Sequence, residues 1–417
     1  MGHGPALRRE AWVALAFAAA AGFVYNGVLS TISNLYYLRM GYGPEVVGNI
    51  AGLRALAFAL AALPAGALGR RVGGRRAMVI GLAAWAIAGV VFSLADLVPT
   101  PWRLAYLLVL GPVVAAAYAI PVVNALPILA GHTGPEERPL AFSLYASCTP
   151  LGAFVGSWVG GLLPGWFAGL LGATLSQPRP YGLALGGCFV ALVPVFIAFL
   201  RLPEQRTAQT TGALASTGLA LERAKAPILL LAAIGLVTWL YTGGQFAART
   251  FFNVYLDRAL AVSTARIGAS MAVASLLAIP APLVMPALVR RLGQVPALLN
   301  ALAGLVLALL LLAMSGGWIA AAASYAAILM LVAGVNAVWS LVTQEAVARE
   351  WRSASSALYS LAGGLGSAMM SMGGGYLVAR VGYQALFSLG AGLVSLATVV
   401  AGLVFLGRRG RQASGRA

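Results

Sequence analysis

The sequence predicts an all-α polytopic membrane protein with twelve transmembrane helices in two pseudo-symmetric six-helix bundles. Three observations predict it. The 417 residues are 61% hydrophobic and 9% charged, with a mean hydropathy of +0.90, where a soluble domain is about a quarter charged. Apolar runs of about 18 or more residues recur along the chain, long enough to cross hydrocarbon. Ala and Leu dominate them rather than alternating β-branched residues, which favours helices over strands. Third, a basic Gly-containing hairpin occurs twice, as GALGRRVGGRR at Gly66–Arg76 and PALVRRLGQVP at Pro286–Pro296. Gly66 aligns with Pro286, Arg70 with Arg290, Arg71 with Arg291 and Gly73 with Gly293, all at a spacing of 220.

The elements follow in order. A short basic head, Met1 to Glu10, precedes a first span from Ala11 to Leu38. Tyr25 to Ala55 parallels Thr242 to Ala272, with Tyr37-Leu38 matching Tyr255-Leu256 and Gly48 matching Gly268. Half of an internal repeat is not a cleaved leader, so the first span is expected to stay. Helix 2 is expected from Pro44 to Leu68, helix 3 from Arg76 to Leu94, and helix 4 from Trp102 to Leu129, broken by Pro112, Pro121 and Pro127. Helix 5 is Leu140 to Leu163 and helix 6 is Tyr181 to Leu200. The expected domains are a six-helix bundle over 1–200, a polar linker over 201–226, a second bundle over 227–406 and a basic tail over 407–417. The second bundle repeats the pattern: Pro227 to Leu256, Thr264 to Val289, Val295 to Met314, Trp318 to Val342, Ser355 to Val378 and Tyr383 to Leu406. Helices 5 and 11 align at a spacing of 214, pairing Arg138 with Arg352, Tyr145 with Tyr359, Gly152 with Gly366 and Gly160-Gly161 with Gly374-Gly375.

Charge fixes the expected orientation. The formal net charge is +17, yet the arginines cluster at helix ends, so no nucleic-acid partner is implied. Of the 27 Lys and Arg residues, 19 fall on the side of the termini, six on the other side and two within spans. That bias places both termini in the cytoplasm of a plasma or inner membrane. Cys148 and Cys188 lie in apolar runs and His3 and His132 are the only histidines, so no disulfide framework, metal site or cofactor is expected. There is no GxSxG, no His-based triad and no phosphate loop, and Gly364-Leu365-Gly366 lies in a membrane helix rather than after a strand, so an enzyme is not expected.

Two six-helix halves with a basic hairpin after the second helix resemble the major facilitator superfamily over nearly the whole chain. Gly66, Leu68, Arg71, Gly73 and Arg75 or Arg76 match that family's hairpin motif, G-x-L-x-D-R-x-G-R-R. Its acidic position is Arg70 here and Arg290 in the second copy. The gating-hairpin residues are Gly66, Arg70, Arg71, Gly73, Arg75, Arg76, Arg290 and Arg291; in the family that carboxylate helps latch the halves, so Glu136, Glu137, Glu345 and Glu350 become candidate partners for the arginines among them. Gly152, Gly156, Gly160 and Gly161 in GAFVGSWVGG resemble the helix 5 motif of the family's exchangers, with Ser157 in place of proline. The same spacing of small residues also serves close helix packing. The family's helix 4 motif has no match here, and Leu107 stands at its arginine position. The resemblance implies a transporter of a small solute in the bilayer, working as a monomer by alternating access. A drug or lipid exporter of the same superfamily is the alternative.

Polar residues inside apolar spans mark the candidate substrate site. On helix 7, Thr238, Thr242, Gln245, Arg249 and Asn253 recur at helical steps on one face. Helix 1 offers Asn26, Ser30, Ser33 and Tyr37; helix 10 offers Tyr325, Asn336, Ser340 and Thr343; helix 4 offers Tyr118 and Asn124. These residues line a cavity or hydrogen-bond helices together. Arg54 and Arg249 are the charges within spans, with no carboxylate in mid-span near them. Arginine's planar donor fork suits carboxylate or phosphate, so the expected solute is anionic or anionic-headed.

Overall fold

The structure, a computed structural model, describes residues 8–134, 136–202, 228–348 and 351–414. His3, most of the linker, Glu350 and the last tail residues lie outside the described residues. The described residues form helices and no strand. We label them α1 (Arg9–Arg39), α2 (Pro44–Val72), α3 (Gly74–Phe92), α4 (Thr100–Gly131), α5 (Arg138–Leu171), α6 (Arg179–Leu200) and α7 (Ile228–Arg258). The remainder are α8 in two pieces (Thr264–Leu277 and Ala281–Leu292), α9 (Gln294–Ala313), α10 (Trp318–Ala346), α11 (Arg352–Arg380) and α12 (Tyr383–Ser414). Ten of these helices are long and apolar enough to cross a membrane. Leu63, Leu229 and Leu403, each at least 75% exposed, show apolar side chains turned outward, as a lipid-facing surface requires.

Proline accounts for two departures from expectation. Helix 8 was expected unbroken, but the chain leaves the helix between Leu277 and Ala281, where Pro280 and Pro282 remove two backbone donors. Helix 4 was expected to break, yet α4 runs unbroken through Pro112, Pro121 and Pro127. Packing of α2 and α3 against it supplies the support that lets a membrane helix carry proline.

The repeated hairpin is drawn in the backbone. Helix α2 ends at Val72 and α3 begins at Gly74, so Gly73 alone turns the chain, at φ +90°. Gly293 does the same between α8 and α9 at φ +87°. An L side chain is strained there, so the spacing of 220 in sequence reappears as one conformation in two places.

By mutual packing the chain divides into two units. The first comprises Met1–Thr207 with Phe251–Leu276, and the second Ala208–Thr250 with Leu277–Ala417. The chain passes between the units at Thr207–Ala208 in the linker, at Thr250–Phe251 inside α7 and at Leu276–Leu277 inside α8. In the first unit, α2 and α3 pack on α4, and the middle of α1 packs on α5. That middle is a π-helical turn, Gly22–Leu29. A Cβ on Gly152 would lie 2.0 Å from the Ala19 carbonyl oxygen, and one on Gly156 would lie 2.2 Å from that of Phe23. Small residues thus bring the two backbones into contact. Thr31 Oγ1 donates to the Gly27 carbonyl at 2.8 Å, and Ser30 Oγ donates to that of Asn26, satisfying acceptors that the widened turn leaves. In the second unit, α9 packs on α10 and α12. Gly366, the repeat mate of Gly152, approaches the Trp239 carbonyl oxygen, 2.5 Å from where its Cβ would be.

Candidate functional site

The predicted site residues fall into two groups, one in each unit. In the first unit, α2 carries Arg54 inward. Gly111 on α4 leaves room for its stem, since a Cβ there would lie 3.6 Å from Arg54 Cγ. The half-buried guanidinium stands 5.4 Å from the centre of the Tyr25 ring, a cation–π geometry. Tyr25 stacks on Tyr118 at 4.1 Å, and Tyr118 meets Trp85 at 4.6 Å and Phe58 at 5.9 Å. Tyr37 on α1 faces Arg54, and Ser33 lies one turn before it. Both hydroxyls are buried and neither makes a hydrogen bond of normal geometry, although Tyr37 lies close to both Arg54 and Ser33. An orphan hydroxyl in a membrane interior costs free energy unless something fills it. A cation, two unused hydroxyls and an aromatic wall therefore converge. Asn26 is half-buried on the same helix.

Asn253 has a different role. Its amide donates to the Ser30 and Thr31 carbonyls at 3.0 and 2.9 Å, and its oxygen accepts from Asn34 at 3.0 Å. It joins α7 to α1, and its oxygen also accepts from the Val254 amide at 2.9 Å, so both ends of the side chain are satisfied.

In the second unit, Arg249 is exposed and stands 5.5 Å from the Phe246 ring centre. Gln245 is buried, and its side-chain oxygen has no partner. Tyr241 donates to Asn336 Oδ1 at 3.0 Å, and Tyr359 reaches the same atom at 3.5 Å. Tyr359 also lines a cavity of about 200 Å³ with Ser340, Thr343, Gln344, Ser356 and Ser360, so Asn336 and Ser340 share one neighbourhood. Thr242 is half-buried against Gly363. Thr238 binds helices together: it donates to the Ile234 carbonyl at 2.7 Å and accepts from Trp339 Nε1 at 3.0 Å.

The hairpin residues separate as well. Gly66, Arg70 and Arg75 line a cavity of about 340 Å³ in the first unit. Arg75 donates to the Phe199 and Leu200 carbonyls at the end of α6, while Arg71, Arg76, Arg290 and Arg291 are exposed. Among the expected acidic partners, Glu137 accepts from the Gly134 amide at 3.1 Å and Glu345 from Gln294 at 2.9 Å. The helix 5 glycines are packing residues throughout. Gly160 meets Val28, and Gly161 meets Gly268 so closely that a Cβ on it would lie 2.8 Å from the Gly268 Cα.

Two groups of functional interest were missed. The aromatic wall of Tyr25, Trp85 and Phe58 carries no polar periodicity. Away from the hairpin, the first unit holds an ionic cluster. Arg39 forms a two-pronged pair with Asp257, one prong at 2.8 Å, donates to the Leu175 carbonyl at 2.9 Å and lies 5.6 Å over the Tyr181 ring. Tyr181 hydrogen-bonds Thr264 at 2.9 Å. Beside it, Asp96 pairs with Arg179 at 3.2 Å and accepts from Tyr36 at 2.9 Å. These interactions fasten the ends of α7 and α8 onto α1 and α6. In a count of charges along the sequence the same arginines serve as topology markers only.

The Major Facilitator Superfamily pattern matches residues 11–369. The chain belongs to this superfamily. Solved structures agree in fold at low identity. A D-xylose–proton symporter superposes with a TM-score of 0.75 at 14% identity, covering 94% of this chain and 96% of its own. A mutant of the nucleoside transporter NupG gives 0.74 at 15%, covering 94% and 98%. A bacterial homologue of the human lysosomal transporter Spinster, inward-facing and occupied, gives 0.73 at 16%, covering 97% and 98%. No curated protein matches this sequence. This major facilitator protein is a multi-pass membrane transporter of small solutes rather than an enzyme.

Proposed function

We propose that this protein is a secondary active or facilitative transporter of a small organic solute with an anionic head, working by alternating access. The observation that carries the reading is Arg54. A charged arginine in a membrane interior costs about 2.5–3.5 kcal/mol on insertion scales. Here it has ring faces and two unpartnered hydroxyls beside it, and among the described residues no carboxylate pairs with it. A bound carboxylate or phosphate would take the guanidinium fork and give the Tyr37 and Ser33 hydroxyls an acceptor. The Tyr25–Tyr118 stack would cover an apolar or planar body behind that head. In the second unit, Arg249 and Gln245 offer a further donor and an unpartnered acceptor.

In this reading the two six-helix bundles, 1–200 and 227–406, rock about the solute, joined by the linker 201–226. The transporter is a monomer in a plasma or inner membrane with both termini cytoplasmic, as the 19-to-6 arginine and lysine bias indicates. The structural relatives named for xylose and nucleosides are consistent with a small solute. The aromatic wall favours a second reading, export of a lipophilic drug or lipid.

The test is a thermal-shift panel on the purified protein, followed by counterflow in vesicles with any compound that binds. The panel compares carboxylates, phosphate esters, lysolipids, neutral sugars and lipophilic cations on wild type, Arg54→Gln and Arg249→Gln. A ligand at about 100 times its Kd stabilises by about 2.7 kcal/mol. Anions shifting wild type but not Arg54→Gln is the expected result. Shifts by lipophilic cations or neutral compounds alone, equal in all three proteins, would overturn it in favour of the exporter.

A further inference from the structure

The cavity of about 340 Å³ in the first unit is not used by the transport reading. It lies at the hairpin ends of α2, α3, α4 and α6, where Arg70, Arg75 and His132 line it together with Phe199, Leu202 and Ile128. Among the described residues, no lining residue is an Asp or Glu. Arg75 is held by the two α6 carbonyls, which fixes its guanidinium in place and leaves its charge unneutralised. Arg70 is exposed and, among the described residues, makes no ion pair. His132 Nδ1 contacts the Ile128 carbonyl at 2.7 Å; because a carbonyl only accepts, that nitrogen carries the hydrogen, leaving Nε2 available. Asn124 offers no negative charge, and its amide hydrogens go to the Ala65 and Ile120 carbonyls.

The cause is legible in the hairpin. At the position where the family pattern has a carboxylate, this chain has Arg70. The substitution removes one negative charge and adds a positive one beside a fixed arginine. A cavity with two cations and, among the described residues, no counter-charge is completed by an anion. At about 340 Å³ the cavity is too large for a bare anion to fill, and its apolar lining suits a ligand with a hydrocarbon body.

We propose that this cavity binds the phosphate headgroup of an anionic phospholipid, with Arg70 and Arg75 on the phosphate and the Phe199–Leu202 part against the glycerol and acyl carbons. Basic pockets between membrane helices recognise headgroups by this chemistry. The site is separate from Arg54, so it stands or falls independently of the solute.

The experiment measures thermal stability of the full chain in phosphatidylcholine nanodiscs while the phosphatidylglycerol fraction is raised. A parallel arm adds inorganic phosphate at matched ionic strength. Phosphatidylglycerol is expected to raise the Tm, and inorganic phosphate to leave it unchanged. Arg70→Gln is expected to move the lipid midpoint about fivefold, the effect of about one arginine charge near a membrane surface. Arg71→Gln, exposed and outside the cavity, is expected to keep the wild-type midpoint. Arg70→Glu supplies an internal counter-charge beside Arg75, so it should be more stable than Arg70→Gln in phosphatidylcholine alone and respond least to phosphatidylglycerol. Equal midpoints for Arg70→Gln and Arg71→Gln would reduce the effect to a diffuse basic surface and overturn the site. An equal Tm rise with inorganic phosphate would overturn the lipid as its ligand.

Discussion

Arg54 and Arg249 are one residue type in two related halves, and their surroundings differ. Arg54 is half-buried against Tyr25, faces Tyr37 and sits in a neighbourhood with two unpartnered hydroxyls. Arg249 is exposed, borders Phe246, and has beside it a tyrosine–amide network whose hydroxyls already share Asn336. Water can solvate the second cation at little cost. The first sits where solvation is incomplete and, among the described residues, no counter-charge is supplied, so a ligand there offsets the larger desolvation. The difference teaches that being charged within a span does not by itself mark the principal contact. What marks it is a polar environment left unfinished.

The largest expected effect follows directly. Arg54→Gln should lower transport kcat/KM about 100-fold for an anionic solute, corresponding to about 2.7 kcal/mol for removal of a charged partner from a dry site. Tm without ligand should stay level or rise, because a buried uncompensated cation has been removed. Uptake into vesicles and a melting curve on one preparation check both. A drop in uptake accompanied by a large fall in Tm would make Arg54 a structural residue and erase the contrast with Arg249.

The glycines give a second comparison between the halves. Gly152 and Gly366 are repeat mates, each pressed on a backbone carbonyl of the neighbouring helix, with Cβ positions 2.0 and 2.5 Å from it. Alanine gains about 1 kcal/mol over glycine in a helix interior. Overpacking against backbone costs about 1–3 kcal/mol, since backbone cannot rotate aside. Gly152→Ala should therefore destabilise by about 2 kcal/mol and Gly366→Ala by about 1, read as the denaturant midpoint in detergent. The reverse order would show that the π-helical turn of α1 yields more easily than the regular helix of α7.

These cases show what could be read before any coordinates. The hairpins, the repeat and the helix count depend on periodicity and on residues with singular backbone freedom, such as Gly73 and Gly293, and these speak locally. Which polar residues on one stripe are free is a tertiary question. Thr238, Gln245 and Asn253 share one face of α7, yet Thr238 accepts from Trp339, Asn253 binds α1, and Gln245 keeps an orphan oxygen. Nothing at steps of three and four distinguishes them, because their partners lie far away in sequence. The aromatic wall was hidden for the same reason: Tyr118 stood out on helix 4, but Trp85 and Phe58 look like any core residues until Tyr118, stacked on Tyr25, meets them. The break in α8 and the persistence of α4 also depended on neighbours, since the same residue, proline, ends one helix and not the other.

A smaller effect is expected at Arg249. Arg249→Gln should lower kcat/KM about tenfold or less, because an exposed guanidinium has water as an alternative partner. Raising ionic strength should narrow the gap between Arg249→Gln and wild type more than that between Arg54→Gln and wild type, since exposed charges are screened at the Debye length and enclosed ones are screened less. Salt titration of uptake in the three proteins measures it. Equal salt slopes would mean that both arginines meet the solute in the same environment.

The smallest effect concerns the two ion pairs away from the hairpin. Arg39–Asp257 joins α1 to the end of α7, whereas Arg179–Asp96 joins α6 to the turn after α3, all within the first 200 residues. Both are partly buried, but only the first fastens a segment from beyond the linker. Asp257→Asn removes the charge, keeps the shape and leaves Arg39 its bond to the Leu175 carbonyl. The expected cost is about 1 kcal/mol, in the range of partly exposed pairs. That corresponds to about a fivefold rise in labelling of a cysteine placed at Ala259, just past the pair. Asp96→Asn should leave that labelling unchanged, because the turn it anchors does not hold α7. If both variants raise labelling equally, the two pairs act as one network through Tyr181 and Tyr36, and the fastening of α7 is shared rather than carried by Arg39.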